Sequence, residues 1–248
     1  MLYSYLKEKL LSLFDSDKLK QTPHEWGFFN EEEKNVLRIG YATNLTPDVI
    51  KHAIDNKTDM ILTHHDAWDF IYGMKPVCQK LLKDNKLIHA FFHAPLDDAA
   101  FGTSHSLAKA LSLGHLIPAI PYEDVYFAGV VGEFAAAVPF DELGFILTNI
   151  LGEELRSYQN NDRLIKKVCV TTGGGHLTAF LKEANENGCD AYITGEYSLY
   201  TQQYADFTGL NLFVGSHTNT EILGVKNLAD AVASDTDIEV VRLLENNY

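Results

Sequence analysis

Cysteine, basic residues and long apolar runs are all scarce in this chain. Its three cysteines, Cys78, Cys169 and Cys189, are odd in number and form no Cys-x-x-Cys pair. That argues against a disulfide framework and against a thiolate zinc site, and it fits a reducing cytoplasm. Cys169 lies in an apolar, strand-like stretch and reads as a small core residue. Twenty Lys and Arg face thirty-four Asp and Glu, a net charge of −14. A chain so acidic lacks the cationic surplus that neutralises a phosphate backbone, so no nucleic-acid partner is expected. A small anionic substrate stays open, because a bound metal ion reverses the local field. No apolar stretch approaches the roughly 18 residues of a membrane span, so no membrane partner is expected either. Lys7, Glu8 and Lys9 interrupt the apolar residues of Met1–Phe14, which predicts an amphipathic first helix and not a signal peptide.

What the chain does contain is alternation. Strand-like runs at Val36–Ala42, Asp59–Thr63, Leu87–Phe92, Lys167–Thr171, Ala191–Thr194, Leu210–Val214 and Ile238–Leu243 are separated by helix-like runs. The latter are Pro47–Asn56, Pro76–Asp84, Ser104–Leu113, Leu177–Asn187 and Glu221–Val232. Thr46-Pro47 supplies a capping side chain followed by proline at the first helical position. Such alternation predicts an α/β fold with largely parallel sheet covered by helices. Tyr126–Pro139 differs: Gly129 and Gly132 within apolar runs predict antiparallel strands, closed by a helix near Asp141–Leu151.

The chain also resembles itself. Sliding it by 131 positions sets Val36–Thr63 on Lys167–Thr194, with Lys51/Lys182, Ala53/Ala184, Asn56/Asn187, Asp59/Asp190 and Thr63/Thr194 identical. A shift of 124 then sets His93-Ala-Pro-Leu-Asp97 on His217-Thr-Asn-Thr-Glu221. An ancient duplication accounts for this. It predicts two α/β halves, 1–125 with the His-His and His-x-x-x-Asp motifs and 126–248 with the Gly-Gly-Gly turn, Thr-Gly-Glu and His-x-x-x-Glu.

The chemistry gathers where strands end. Met60-Ile61-Leu62-Thr63-His64-His65 finishes on two adjacent imidazoles, which a strand with alternating faces is not expected to bury together. In open α/β sheets ligands bind at that carboxyl end. His93 and Asp97, and His217 and Glu221, add imidazole and carboxylate donors suited to Zn²⁺, Fe²⁺, Mn²⁺ or Ni²⁺. Four residues apart on a helix, His217 and Glu221 share a face; Pro95 favours a loop for His93–Asp97. The set is generous for one ion and better used by two, about 3.5–4 Å apart. Diverging neighbours would give His64 to one ion and His65 to the other. His24, His52, His89, His105, His115 and His176 read as ordinary core or surface residues. Thr172-Gly173-Gly174-Gly175, between strand and helix, is either an anion cradle or simply a tight turn. Glu196 takes the place of His65 in the second half, as a cleft-lining carboxylate or a helix-start acid. No nucleophile elbow or Cys/His pair is evident.

Thr63-His64-His65, His93-Ala-Pro-Leu-Asp97, Thr172–Gly175, Ile193-Thr194-Gly195-Glu196 and Gly215-Ser216-His217-Thr218-Asn219-Thr220-Glu221 together resemble the NGG-interacting-factor-three-like family. Its members often bear the name GTP cyclohydrolase type two. The resemblance runs from about Gly27 to the end and implies two intertwined α/β halves, a dinuclear metal centre between them and a toroidal homohexamer. It implies His64, His65, Asp97, His217 and Glu221 as ligands of two divalent transition-metal ions, Glu221 bridging, with His93 beside the metals or substrate. Two positions depart from the family pattern: Asp66 follows His65 where Gly or Pro is common, and Ser216 precedes His217 where Gly is. Two functions follow as expectations: a metal-dependent hydrolase of a nucleotide or related small anion, with His93 or Glu196 moving protons, or a non-catalytic metal-binding or regulatory hexamer.

Overall fold

The computed structural model describes residues 1–246. The chain runs α1 (Tyr3–Ser12), α2 (Ser16–Gln21), β1 (Trp26–Phe29), β2 (Arg38–Asn44), α3 (Pro47–Asp55), β3 (Met60–His65), α4 (Met74–Asp84), β4 (Ile88–Phe92) and α5 (Ala94–Asp98). It continues through α6 (Thr103–Ala110), β5 (Gly114–Tyr122), β6 (Tyr126–Val138), α7 (Phe140–Leu151), β7 (Arg156–Tyr158), β8 (Ile165–Thr171) and α8 (Thr178–Glu186). The last elements are β9 (Ala191–Thr194), α9 (Leu199–Thr208), β10 (Asn211–Val214), α10 (His217–Ala233) and β11 (Glu239–Arg242). Two compact units result, the first made of residues 1–99 and 225–246, the second of residues 100–224. The boundary expected at 125/126 falls inside the β5–β6 hairpin, whose strands pair from Gly114 to Glu133, so the chain does not divide there. Residues 225–246 belong to the first unit because β11 hydrogen-bonds along β2, parallel to it.

In the first unit the strand order is β1-β4-β3-β2-β11, parallel throughout except for β1. Helix α3 begins where Thr46 accepts a hydrogen bond from Val49 N at 3.2 Å and Pro47 fills the first turn; such a cap is worth about 1 kcal/mol. Val49, Ile50 and Ala53 then pack with Ile61, Cys78 and Leu82 in one core.

The second unit's sheet is mixed, in the order β5-β6-β8-β9-β10-β7, with β8, β9 and β10 parallel and the flanking pairs antiparallel. Its core sets Leu143 and Leu147 of α7 with Val168, Val170 and Phe213. Read from β7, this sheet repeats the first: an antiparallel edge strand, then three parallel strands in the same sequence-reversed order. Asp59 Oδ2 accepts from Leu37 N and Arg38 N at 2.7 and 3.0 Å, and Asp190 Oδ2 from Lys166 N and Lys167 N, both at 2.9 Å. These equivalent clamps correct the sequence register. The first strands correspond with an offset of 129, and only the later elements with 131, because two extra residues lengthen the glycine-rich turn after β8.

Candidate metal centre

In the first unit, three imidazoles collect at the carboxyl ends of β3 and β4. The expectation that a strand cannot bury two adjacent histidines fails: His64 is wholly buried and His65 is 6 % exposed. Their ring centroids lie 4.5 Å apart, and each is about 5 Å from His93, at 5.0 and 5.3 Å. One ligand nitrogen from each of the three falls within 4.8 Å of the others. Divergence of the two side chains therefore gives no reason to assign them to separate ions. Burial of both is tolerated because each ring has a backbone or amide partner. His64 Nδ1 donates to Phe92 O at 2.9 Å, since a carbonyl only accepts. His65 Nδ1 donates to Asn44 Oδ1 at 2.8 Å, and Asn44 Nδ2 donates in turn to Glu245 Oε2 at 3.1 Å.

His93 precedes α5, and its Nδ1 donates to Glu25 Oε2 at 2.5 Å. Burial works against a charged Glu25, but that bond, the attraction of the His93 ring and the Ala94 N–H hold its carboxyl below the usual range. The loop expected at His93–Asp97 is in fact a short helix, α5, because Pro95 sits in the first turn, where no N–H is needed. Asp97 projects from it, its Oδ1 3.4 Å from His64 Nε2.

The second unit carries the matching pair. His217 opens α10 and Glu221 follows one turn later, His217 Nε2 lying 3.3 Å from Glu221 Oε1. His217 Nδ1 donates to Glu196 Oε1 at 2.7 Å, while Glu196 Oε2 lies 2.9 Å from His176 Nδ1. Burial opposes charging of His217, yet the carboxylates of Glu221 and Glu196 outweigh it and raise its pKa to about 10. In the protein alone a proton thus supplies the positive charge that this acidic pair attracts. Glu196 holds a ring in place and is half exposed, in the loop between β9 and α9.

Three of the four amides of the Thr172–Gly175 turn are already engaged, which favours a tight turn over an anion cradle. Thr172 N donates to Ser104 Oγ at 3.2 Å, Gly173 N to Thr220 Oγ1 at 3.0 Å and Gly175 N to Gly173 O at 2.9 Å. What the turn presents is the back of the acidic pair. A Cβ built on Gly173, whose φ is +59°, would lie 1.8 Å from Glu221 Oε1 and 2.8 Å from His217 Nε2. Glycine is required there by both conformation and space.

One pattern unites the four rings. His64, His65, His93 and His217 each commit Nδ1–H to an acceptor, which orients the ring and makes Nε2 the nitrogen that would meet an ion, in His217 after loss of its proton. Metal-ligating histidines are oriented in this way, so the residues fit divalent ions held by imidazole and carboxylate. Sequence reasoning missed Glu25, Asn44, Glu245 and His176. Nothing in local spacing marks the first three, which are remote in sequence from the rings they serve.

The model of the Duf34/NIF3 (NGG1p interacting factor 3) family matches residues 14–247. A GTP cyclohydrolase 1 type 2 homolog of Haemophilus influenzae is 29% identical over 248 residues, covering 95% of this chain and 94% of the relative. Its counterpart in Pyrococcus abyssi is 30% identical over 85% of each chain. Among solved structures, protein ybgI, described as of unknown function, covers 100% of both chains at 25% identity with a TM-score of 0.85.

Proposed function

From the premise that the chain belongs to the Duf34/NIF3 family, we propose that its two donor sets serve one dinuclear metal centre in a metal-dependent hydrolase. His64, His65, Asp97, His217 and Glu221 are the ligands in this reading, with Glu221 bridging, and the ions are Zn, Fe, Mn or Ni. The observation that carries it is the shared orientation of the rings, each with Nδ1–H tied back to an acceptor, so that Nε2 is the nitrogen that would meet an ion.

Bound ions would supply Lewis acidity to a water and to the scissile group of a substrate. The chain's own residues do the rest. His93 Nε2 takes up a proton, and the Glu25 carboxylate on Nδ1 stabilises the imidazolium that results. Glu196 holds His217 in its ligand orientation.

The names of the relatives suggest the substrate class to test first, a nucleotide such as GTP or a related small anion. The chain self-associates, as a homohexamer, in this account. Large exposed side chains support that: Tyr72 is 95 % and Phe207 85 % exposed. Among the described residues no helix is long and apolar enough to cross a membrane. The three cysteines are buried and free, which supports a reducing, cytoplasmic setting. The deciding assay incubates metal-loaded protein with nucleotides, phosphoesters and cyclic amides. Turnover above that of His64→Ala is expected, and none above it would leave a non-catalytic metal-binding protein.

A further inference from the structure

The first unit holds a second polar cluster, on the other face of its sheet from the His64 ring. Between α4 and the β1–β4 edge lies a cavity of about 170 Å³, walled by Phe29 and Phe91 and ending at His89, Asp66 and Lys75. His89 is 1 % exposed. Its protonation can be deduced from its neighbours. Thr63 Oγ1 donates its only hydrogen to His65 O at 2.7 Å, so at 2.8 Å it must accept from His89 Nε2. Burial lowers the imidazolium pKa to about 4, so the neutral ring has no second N–H to give. His89 Nδ1 is therefore a bare acceptor, and 4.0 Å away it faces another acceptor, Asp66 Oδ1. The other Asp66 oxygen is engaged at 3.2 Å by Lys75 Nζ, which also pairs with Asp69 Oδ2 at 3.1 Å.

Two acceptors facing each other across 4.0 Å, with aromatic walls beside them, form half of a recognition site. The missing half is a group with two hydrogens on one atom, able to lie within hydrogen-bonding distance of both. Because Lys75 already offsets part of the Asp66 charge, that group need not be charged. The volume suits one ring: a dry cavity of about 150 Å³ accepts benzene. We propose that this cavity binds a small neutral aromatic amine, whose amino group bridges His89 Nδ1 and Asp66 Oδ1 and whose ring lies between Phe29 and Phe91. The site lies wholly within residues 27–91.

Aniline and toluene have the same shape and differ in the two donor hydrogens, so they test the idea on the intact wild-type chain. Binding is followed by NMR on the side-chain signals of His89 and Phe91 at neutral pH, with metal removed by chelation. Aniline is expected to shift those signals and to bind at least about ten-fold tighter than toluene, as one or two net hydrogen bonds provide. Asp66→Asn should cut that preference to three-fold or less while leaving toluene unchanged. Equal binding of the two ligands would overturn the proposal. So would a crystal soaked in aniline that shows only an ordered water between His89 and Asp66, or the amine seated elsewhere.

Discussion

Replacing Gly173 by alanine crowds His217 and Glu221 while leaving every donor residue in the chain. The new methyl would lie 1.8 Å from Glu221 Oε1, 2.7 Å from its Cδ and 2.8 Å from His217 Nε2. Glu221 is 3 % exposed, so its carboxylate has to turn within a packed interior. Two costs arise and can be separated. The backbone cost, an L-residue at φ +59°, is about 1–2 kcal/mol. For a chain of this length that lowers Tm by roughly 2–8 °C. The second cost falls on the site. Metal–ligand distances tolerate only about ±0.2 Å, so displacing Glu221 should weaken divalent-metal binding by about 100-fold. Gly188→Ala is the control: its φ is +71° with nothing within 4 Å of the added carbon. Scanning calorimetry should show a loss of Tm in both variants, larger in Gly173→Ala because its methyl also displaces buried Glu221, and titration calorimetry with Zn²⁺ or Mn²⁺ should show weakened binding in Gly173→Ala alone. Wild-type affinity in Gly173→Ala would refute the claim that this glycine makes room for a ligand.

Other outcomes follow from the same geometry. Glu221→Ala should lose most of the bound metal on elemental analysis, and a full complement would show that the bridging assignment is wrong. Glu245→Ala removes the acceptor that orients Asn44 toward His65; metal affinity should fall about 10- to 100-fold, whereas an unchanged isotherm would make that chain of hydrogen bonds merely structural. Stability should also depend on His89. Its folded pKa is near 4 and its unfolded value near 6.5. Between those values the unfolded chain binds a proton that the folded chain does not, so stability falls as pH drops from 6.5 to 4. The loss should reach about 3 kcal/mol, and His89→Gln in chemical denaturation should flatten that slope; a parallel slope in the variant would assign it to other groups.

The parallel strands and their connecting helices were legible in the sequence because apolar runs and caps coincide: Ala191–Thr194 is a strand with the expected bounds, and α3 starts at its Thr-Pro signal. Helix α9 escaped the reading because Leu199, Tyr200 and Phe207 are exposed, so its apolar residues do not mark a buried stripe. The donor residues were visible as His and acid at strand ends. Their supports were not, since Glu25 and His93 are 68 residues apart and Asn44 and Glu245 are 201 apart. The glycine turn misled for a different reason. Its Thr172, Gly173 and Gly175 amides are engaged by Ser104, Thr220 and Gly173 itself, contacts that only the fold creates.

The account rests on paired ions, and counting them tests it most directly. Protein reconstituted with one divalent transition metal, freed of excess and assayed by elemental analysis against amino-acid quantitation, should hold close to two ions per chain. A His217→Ala, Glu221→Ala double variant prepared alongside should hold one or fewer. Wild-type protein that retains none, or a double variant that still holds two, would contradict the dinuclear centre.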